Sequence, residues 1–404
     1  MTVTDAAPAD LSDAALASVT RVLAGNAARY DRTAEFPWDS IRAVHAAGLL
    51  TVGIGAAYGG RDLPVAEAAR VLQALGKGDP SVALLAAMTL LQHVGQARAG
   101  RTGGGRWPDG LYRKIVAESY ARPTLLNAIR AEPELGAPAR GGLPATTVRR
   151  TDGGWLVNGR KAYGTGSEGL AYHLVWAVTE APDETAGEPL IGHVIVPGNT
   201  AGITVIPTWD HLGLRASSTH DIVYDNVEVP AENFPGVPVS QAATGIDAIA
   251  FAGVGLSVTA LYVGVARAAQ EFFLAFANER VPTALGRPIA TTERIQTIAG
   301  EIEAQLTQAE EVLYGLAARV DAGDPEALRR AGVAKLLITR SAIAAVQTAL
   351  AAIGNPGLTR NNPLERHFRD IQCCRIHPPQ DDTALIMAGR RTLAAAAAPG
   401  GQSR

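Results

Sequence analysis

The sequence predicts a mainly α protein with a β-domain set between two helical parts, and three observations carry that prediction. Apolar residues recur at helical spacing in both end regions of the chain, and the middle changes to short β-branched runs broken by turns. Ala and Gly supply much of the apolar fraction while aromatics reach only 5%, so the helices are expected to pack closely through small side chains. The expected organisation is a helical N-terminal domain over residues 1–122, a central antiparallel β-domain over 123–237 and a C-terminal four-helix bundle over 238–404. Three such layers leave a cleft where they meet.

Each element follows from its local pattern. From Leu11 to about Arg122, Ile41, Val44 and Leu49, then Val71 and Leu75, keep a helical period, punctuated by breaks such as Tyr58-Gly59-Gly60. From about Pro123 to Val237 the strand candidates are Thr146-Thr147-Val148, Trp155-Leu156-Val157, His173-Leu174-Val175-Trp176, His193-Val194-Ile195-Val196 and Ile222-Val223-Tyr224. The Asn158-Gly159 dipeptide is a hairpin signal. From Ala242 onward, helices are expected over Val254 to Arg280, Thr292 to Ala322 and Pro325 to Ala352, with the Ala-rich tail after Arg391 fraying into Gly400-Gly401.

Composition excludes several classes. With 36 basic and 39 acidic residues and a formal charge of −3, no block of one sign is available to track a nucleic acid or an anionic bilayer. The only cysteines, Cys373 and Cys374, are adjacent, which suits neither a disulfide framework nor spaced metal ligands. No metal site is expected. The opening MTVTDAAPADLSDAAL lacks a basic region followed by an apolar run, and no stretch holds about 20 uninterrupted apolar residues. The expected location is the cytoplasm.

A series of motifs runs in order along the chain: Gly55-Ala56-Ala57-Tyr58-Gly59-Gly60, Ala131-Glu132-Pro133-Glu134-Leu135-Gly136, and Asn158-Gly159-Arg160-Lys161-Ala162-Tyr163-Gly164-Thr165-Gly166-Ser167. Trp209 to His220, Val227-Glu228-Val229-Pro230, Glu279-Arg280 before Leu285-Gly286-Arg287-Pro288, and Asn362 to Asp370 follow. This ordered set resembles the acyl-CoA dehydrogenase superfamily, and its C-terminal run is most similar to the flavin-dependent monooxygenase branch. The resemblance implies the acyl-CoA dehydrogenase fold and a bound flavin, FAD or FMN, held by Ala131, Tyr163, Thr165, Gly166, Arg280, Gly354 and Gly357. A flavin ring needs hydroxyl or amide donors at its edge, and its pyrophosphate needs backbone N–H groups and a cation. By resemblance Tyr163 lies against the ring, and Arg280 reaches the pyrophosphate of a flavin bound by a neighbouring subunit. A homo-oligomer, dimer or tetramer, is therefore expected.

The sequence also departs from that pattern. Acyl-CoA dehydrogenases take an α-proton with a Glu. The usual slot holds His377, the alternative slot falls near Val254, and the Arg that commonly follows it is Gly255. The monooxygenase-like pattern RDxRTHxxHDP has its last His at His377 and its earlier one at Cys374. An imidazole there suits acid/base work near neutral pH. His93, on an N-terminal helix beside the same cleft by resemblance, is the second catalytic candidate. His220, Val254 and Cys374 are candidate substrate contacts, as are Ser217 and Ser218. Taken singly, His93 reads as a hydrogen-bonded core residue, Tyr163 as a packed strand aromatic and Arg280 as a solvated helix end. Asp381-Asp382 reads as a helix cap and a solvated charge.

The family's QxxGGxG stretch reads Ala351-Ala352-Ile353-Gly354-Asn355-Pro356-Gly357, and the Ser after the TEPxxG loop is Ala137. Fewer donors toward the adenosine half are compatible with weakly held FAD, with FMN, or with reduced flavin supplied by a separate reductase. The leading expectation is a monooxygenase using reduced flavin and O2 on a small organic substrate. The alternatives are desaturation of an acyl thioester with a non-standard base, and a non-catalytic flavin- or ligand-binding relative.

Overall fold

The computed structural model of the chain describes residues 9–102, 107–135, 142–183, 186–242 and 248–397. Gly136, Ala137 and the Gly400-Gly401 pair therefore lie outside the described residues. Ahead of the sheet come α1 (Asp13–Thr33), α2 (Trp38–Ala46), α3 (Val65–Gly78), α4 (Pro80–Thr102) and α5 (Asp109–Ala121). Ser12 starts α1 by accepting the Ala15 N–H, satisfying one of the free donors of the first turn. On α3, Val65, Ala68, Ala69, Val71, Leu72 and Leu75 form the buried stripe that the helical period requires.

The sheet contains β1 (Leu125–Ile129), β2 (Thr147–Thr151), β3 (Gly154–Gly164), β4 (Leu170–Thr179), β5 (Leu190–Pro197), β6 (Ile203–Ile206), β7 (His220–Pro230) and β8 (Val237–Pro238). Its order is β6-β7-β3-β2-β4-β5-β8, with β1 also on β4. Most pairings are antiparallel, while β1 and β2 both run parallel to β4. The hairpin does not form at Asn158-Gly159. Thr151 pairs with Gly154, so the tight turn is Asp152-Gly153, which carries the same kind of dipeptide signal. Asn158-Gly159 instead sits inside β3, where the register against β7 shifts. There Gly159 has φ +151° and a Cβ would come within 2.7 Å of the Thr146 Cα, so the position takes a glycine for a bulge rather than a turn.

After the sheet come α6 (Ala248–Glu279), α7 (Glu293–Asp321), α8 (Pro325–Ile353), α9 (Leu364–Gln372) and α10 (Asp381–Ala397). Thr292 caps α7, and Asp324 followed by Pro325 opens α8. Helices α6 and α8 are long and apolar enough to cross a membrane, but 72% of the most apolar window of α6 and 50% of that of α8 is buried inside the fold. They are core helices. Helix α6 lies directly on α3: a Cβ on Gly76 would sit 2.1 Å from the Leu261 carbonyl oxygen, and one on Gly264 2.1 Å from that of Gln73. The two backbones touch, as the small-residue composition predicts.

Candidate functional site

The turn after β3 is held by a buried ion pair. Lys161 and Glu132 meet at 2.6 Å with side chains 0% and 1% exposed, and Lys161 also donates to the Trp176 carbonyl at 2.5 Å. Glu132 further accepts from the Ala145 N–H, the Thr146 N–H and the Thr146 hydroxyl. Burial alone would raise this carboxyl, but the donors from Lys161, Thr146 and Ala145 outweigh it and hold it below its ordinary value. Next to it, the Ala131 carbonyl accepts the Ala162 N–H at 2.9 Å, so Ala131 and Glu132 together fix the strand that ends in Tyr163. That residue is thrown outward, 65% exposed, with a left-handed φ of +56°. A bulky residue in this conformation is strained, and such strain gathers at functional sites.

Past Tyr163 the backbone donors are spent inside the protein. The Thr165 N–H donates to the Tyr163 carbonyl, the Gly166 N–H to Ser217, and the Ser167 N–H to Gly164 and Ser218. What remains is a side chain. The Thr219 hydroxyl donates to the Thr165 Oγ1 at 3.2 Å and shares a 2.7 Å bond with the Ser217 hydroxyl. Because Thr219 gives its proton to Thr165, Ser217 supplies the proton to Thr219, and the Thr165 hydroxyl proton has no acceptor among the described residues. A free hydroxyl proton beside an exposed aromatic ring fits the edge of a flavin. Gly166 contributes conformation, φ +83° in close contact with Leu85 and Leu170, rather than a free N–H.

The segment bearing His377 is tied to this turn through α9. Arg369 forks between Asp31 and Glu365 and donates to the Leu212 carbonyl, while Asp370 accepts the Leu214 N–H at 2.8 Å. These contacts seat α9 on the loop that leads into Ser217 and Ser218. His377 is half-buried, its Nε2 lies 2.6 Å from the Tyr262 hydroxyl of α6, and Lys335 of α8 donates to its carbonyl at 3.0 Å. Burial and the Lys335 charge pull its pKa down to about 4, so the ring is neutral near pH 7.

The other candidates are placed less uniformly. Val254 is 42% exposed on α6 and lines a small cavity of about 80 Å³ with Leu63, Leu91 and Val94 and with the charged Arg98 and Asp321. His93 is not on that wall: it is fully buried, bonded to the Tyr112 hydroxyl at 3.0 Å in an aromatic cluster with Trp107 and Tyr58. Burial takes it down to about 4, as for a core histidine. Cys374 is likewise sealed, 0% exposed in the main core, with its thiol pushed up to about 12 by burial. It is thus closed to a substrate. His220 stands across from Gly164, accepts the Trp209 N–H on Nδ1, and turns Nε2 toward Glu168 at 3.8 Å.

At the opposite end, Arg280 follows α6 exposed, with no side-chain ion pair or hydrogen bond among the described residues. Gly354 (φ +70°) edges a pocket of about 360 Å³ with Gln347, Leu350 and Phe368. Gly357 is buried against Leu350, Leu364 and Ile353 and serves packing. Sequence reasoning missed Gln347. It lies one helical turn before Ala351, the slot where a Gln was sought, and i,i+4 positions share a face. It also missed Tyr262, which no local motif marks.

Known proteins resemble the chain along its length. The family models for the acyl-CoA dehydrogenase N-terminal, middle and C-terminal domains match residues 8–98, 128–227 and 256–380. The "Putative acyl-CoA dehydrogenase YdbM" of Bacillus subtilis (strain 168) is 30% identical over 363 residues, covering 89% of this chain and 90% of that protein. Among solved structures, KijD3 in complex with FMN and dTDP-3-amino-2,3,6-trideoxy-4-keto-3-methyl-D-glucose has a TM-score of 0.81 at 26% identity, over 97% of this chain and 96% of its own. TdsC from Paenibacillus sp. A11-2, a dibenzothiophene monooxygenase solved with FMN and indole, shares the fold with a TM-score of 0.82 at 21% identity, over 95% and 96% of the two chains.

Proposed function

The chain belongs to the acyl-CoA dehydrogenase family, and on that premise we propose that this flavoenzyme is a monooxygenase, using reduced flavin and O2 on a small organic substrate. The observation that carries the reading is His377. By resemblance it stands in the slot of the usual Glu base, and its Nε2 is engaged by the Tyr262 hydroxyl at 2.6 Å, so that place holds a hydrogen-bonded imidazole and no carboxylate. A neutral imidazole held by Tyr262 suits hydrogen bonding to oxygen instead. KijD3, 26% identical and solved with FMN and an amino sugar nucleotide, supports the flavin and a small organic substrate in this reading.

Bound flavin would supply the electrons and the carbon at which O2 is reduced. The Thr165 hydroxyl would donate to the edge of the ring, Tyr163 would lie against its face, and His377 would offer a hydrogen bond to the reacting oxygen. The cavity beside Val254 takes the apolar end of a compact substrate. By resemblance Arg280 would reach the phosphates of a flavin bound by a neighbouring copy, and the largely apolar pocket at Gly354 would face its adenosine half, which makes a dimer or tetramer the working form. Few donors converge there, which favours loosely held flavin, FMN or FAD, delivered reduced by a separate reductase.

The decisive experiment is anaerobic loading with reduced FMN or FAD, then rapid mixing with O2 while absorbance is followed. A species distinct from reduced and oxidised flavin, lasting long enough to meet substrate, is expected. One-step reoxidation would sink the proposal. The name of the 30% identical relative favours a second reading, desaturation of an acyl thioester. Turnover of acyl-CoAs with an artificial electron acceptor and no oxygen-dependent species would establish it.

A further inference from the structure

The bond between Tyr262 and His377 carries an inference that rests on the proposed oxygen chemistry and goes beyond it. The Tyr262 hydroxyl is 1% exposed, and its only hydrogen-bond partner among the described residues is the His377 Nε2, at 2.6 Å. The direction of that bond is decided by accounting. If Nε2–H donated to the phenol oxygen, the phenol proton would be left in the core without an acceptor, which buried polar groups avoid. If the phenol donates, both groups are satisfied, and the ring proton must stand on Nδ1.

The charged and titratable neighbours agree with that direction. Burial holds the Tyr262 phenol well above its ordinary pKa, as do Cys373, Cys374 and Asp370 facing it. Lys335 faces His377, Cys374 and Asp381, and disfavours an imidazolium. Tyr262 is therefore a protonated donor and His377 a neutral acceptor. The side of the imidazole away from Tyr262 is less tightly enclosed, since His377 as a whole is half-buried.

We infer that Tyr262 is a positioning residue: its hydroxyl occupies Nε2 and fixes His377 in the Nδ1–H tautomer, so that His377 works as a hydrogen-bond donor to the reacting oxygen and not as a base. The proton stays on Nδ1 throughout, because passing it on would require Tyr262 to give up its own.

The test is nitrogen-15 NMR of histidine-labelled protein, comparing the native chain, Tyr262→Phe and His377→Gln. Native His377 is expected to show a protonated Nδ1 and an unprotonated Nε2, and Tyr262→Phe a shift toward the Nε2–H form. Oxygen reactions of the reduced-FMN-loaded proteins form the second arm. Tyr262→Phe should shorten the life of the oxygen-dependent species at least tenfold, with FMN affinity within twofold. A proton on Nε2 in the native protein overturns the assignment, and so does an unchanged tautomer and lifetime in Tyr262→Phe. The NMR arm needs no turnover. If no oxygen-dependent species forms while Nδ1 carries the proton, the monooxygenase reading fails and the tautomer assignment stands.

Discussion

The value of Thr165 to a ligand depends on two hydroxyls behind it. Because Ser217 and Thr219 pass their protons forward, Thr165 has one to offer. Thr165→Val should raise the dissociation constant of reduced FMN about fivefold to tenfold, the loss of one neutral hydrogen bond of about 1 kcal/mol, whereas Thr165→Ser should stay near the native value. Fluorescence titration reads both, and equal affinities for the Val and Ser variants would remove Thr165 from the site. The Lys161 and Glu132 pair makes a second prediction at this scale. Glu132→Gln leaves a buried ammonium without its counter-charge and should cost roughly 3–5 kcal/mol in denaturant unfolding. The double change Glu132→Leu with Lys161→Met should recover only part of that loss, because the Ala145 and Thr146 N–H groups, the Thr146 hydroxyl and the Trp176 carbonyl lose their partners. At this scale sequence order singled out His377 and Thr165 as candidates, because both sit inside runs of motif. It did not locate Tyr262, which lies 115 residues from its partner on an apolar helix and reads there as core. His93, set beside the cleft only by resemblance, and Cys374, inside a motif run, are both fully buried, which no motif encodes.

Secondary-structure elements were legible in proportion to their length. The long helices α6, α7 and α8 repeat their apolar stripe over many turns, so their existence followed from period alone. Short strands carry less signal, and two turn-like dipeptides stand close together, Asp152-Gly153 between β2 and β3 and Asn158-Gly159 inside β3. Register decided between them: Thr151 opposite Gly154 puts the turn at Asp152-Gly153 and leaves Gly159 pressed against Thr146. The two glycines should therefore respond differently to substitution. Gly159→Ala would drive a methyl into the Thr146 backbone at φ +151° and should lower stability by about 2–3 kcal/mol. Gly153 has nothing within 4 Å of a built Cβ, and Gly153→Ala should change stability by less than about 1 kcal/mol. Thermal melts of the pair test this, and comparable losses would place the turn elsewhere.

For the molecule as a whole, buried neutral histidines set the response to acid. His93 and His173 are pulled down to about 4 and His367 to about 3, in each case chiefly by burial. Below pH 6.5 the unfolded chain binds protons that these folded rings refuse, so stability falls as pH drops toward 4, by at most about 1.4 kcal/mol per pH unit for each ring. Asp370 has the opposite sign. Burial raises it to about 7, so the folded state keeps a proton that the unfolded chain releases above about pH 4, and its contribution declines as pH rises toward 7. His193 and His377 are lowered in the same way and Asp79 is raised like Asp370, so five rings stand against two carboxyls, and the melting temperature should climb from pH 4.5 to 6.5 and level off above it. A flat profile over that interval would mean that the histidines are charged in the native state. The contact of α3 with α6 through Gly76 and Gly264 bears on the cleft. With no side chain between the two backbones, a methyl at either glycine can be housed only by parting the first and last helical layers, so the shape of the cleft between them is set by two missing Cβ atoms.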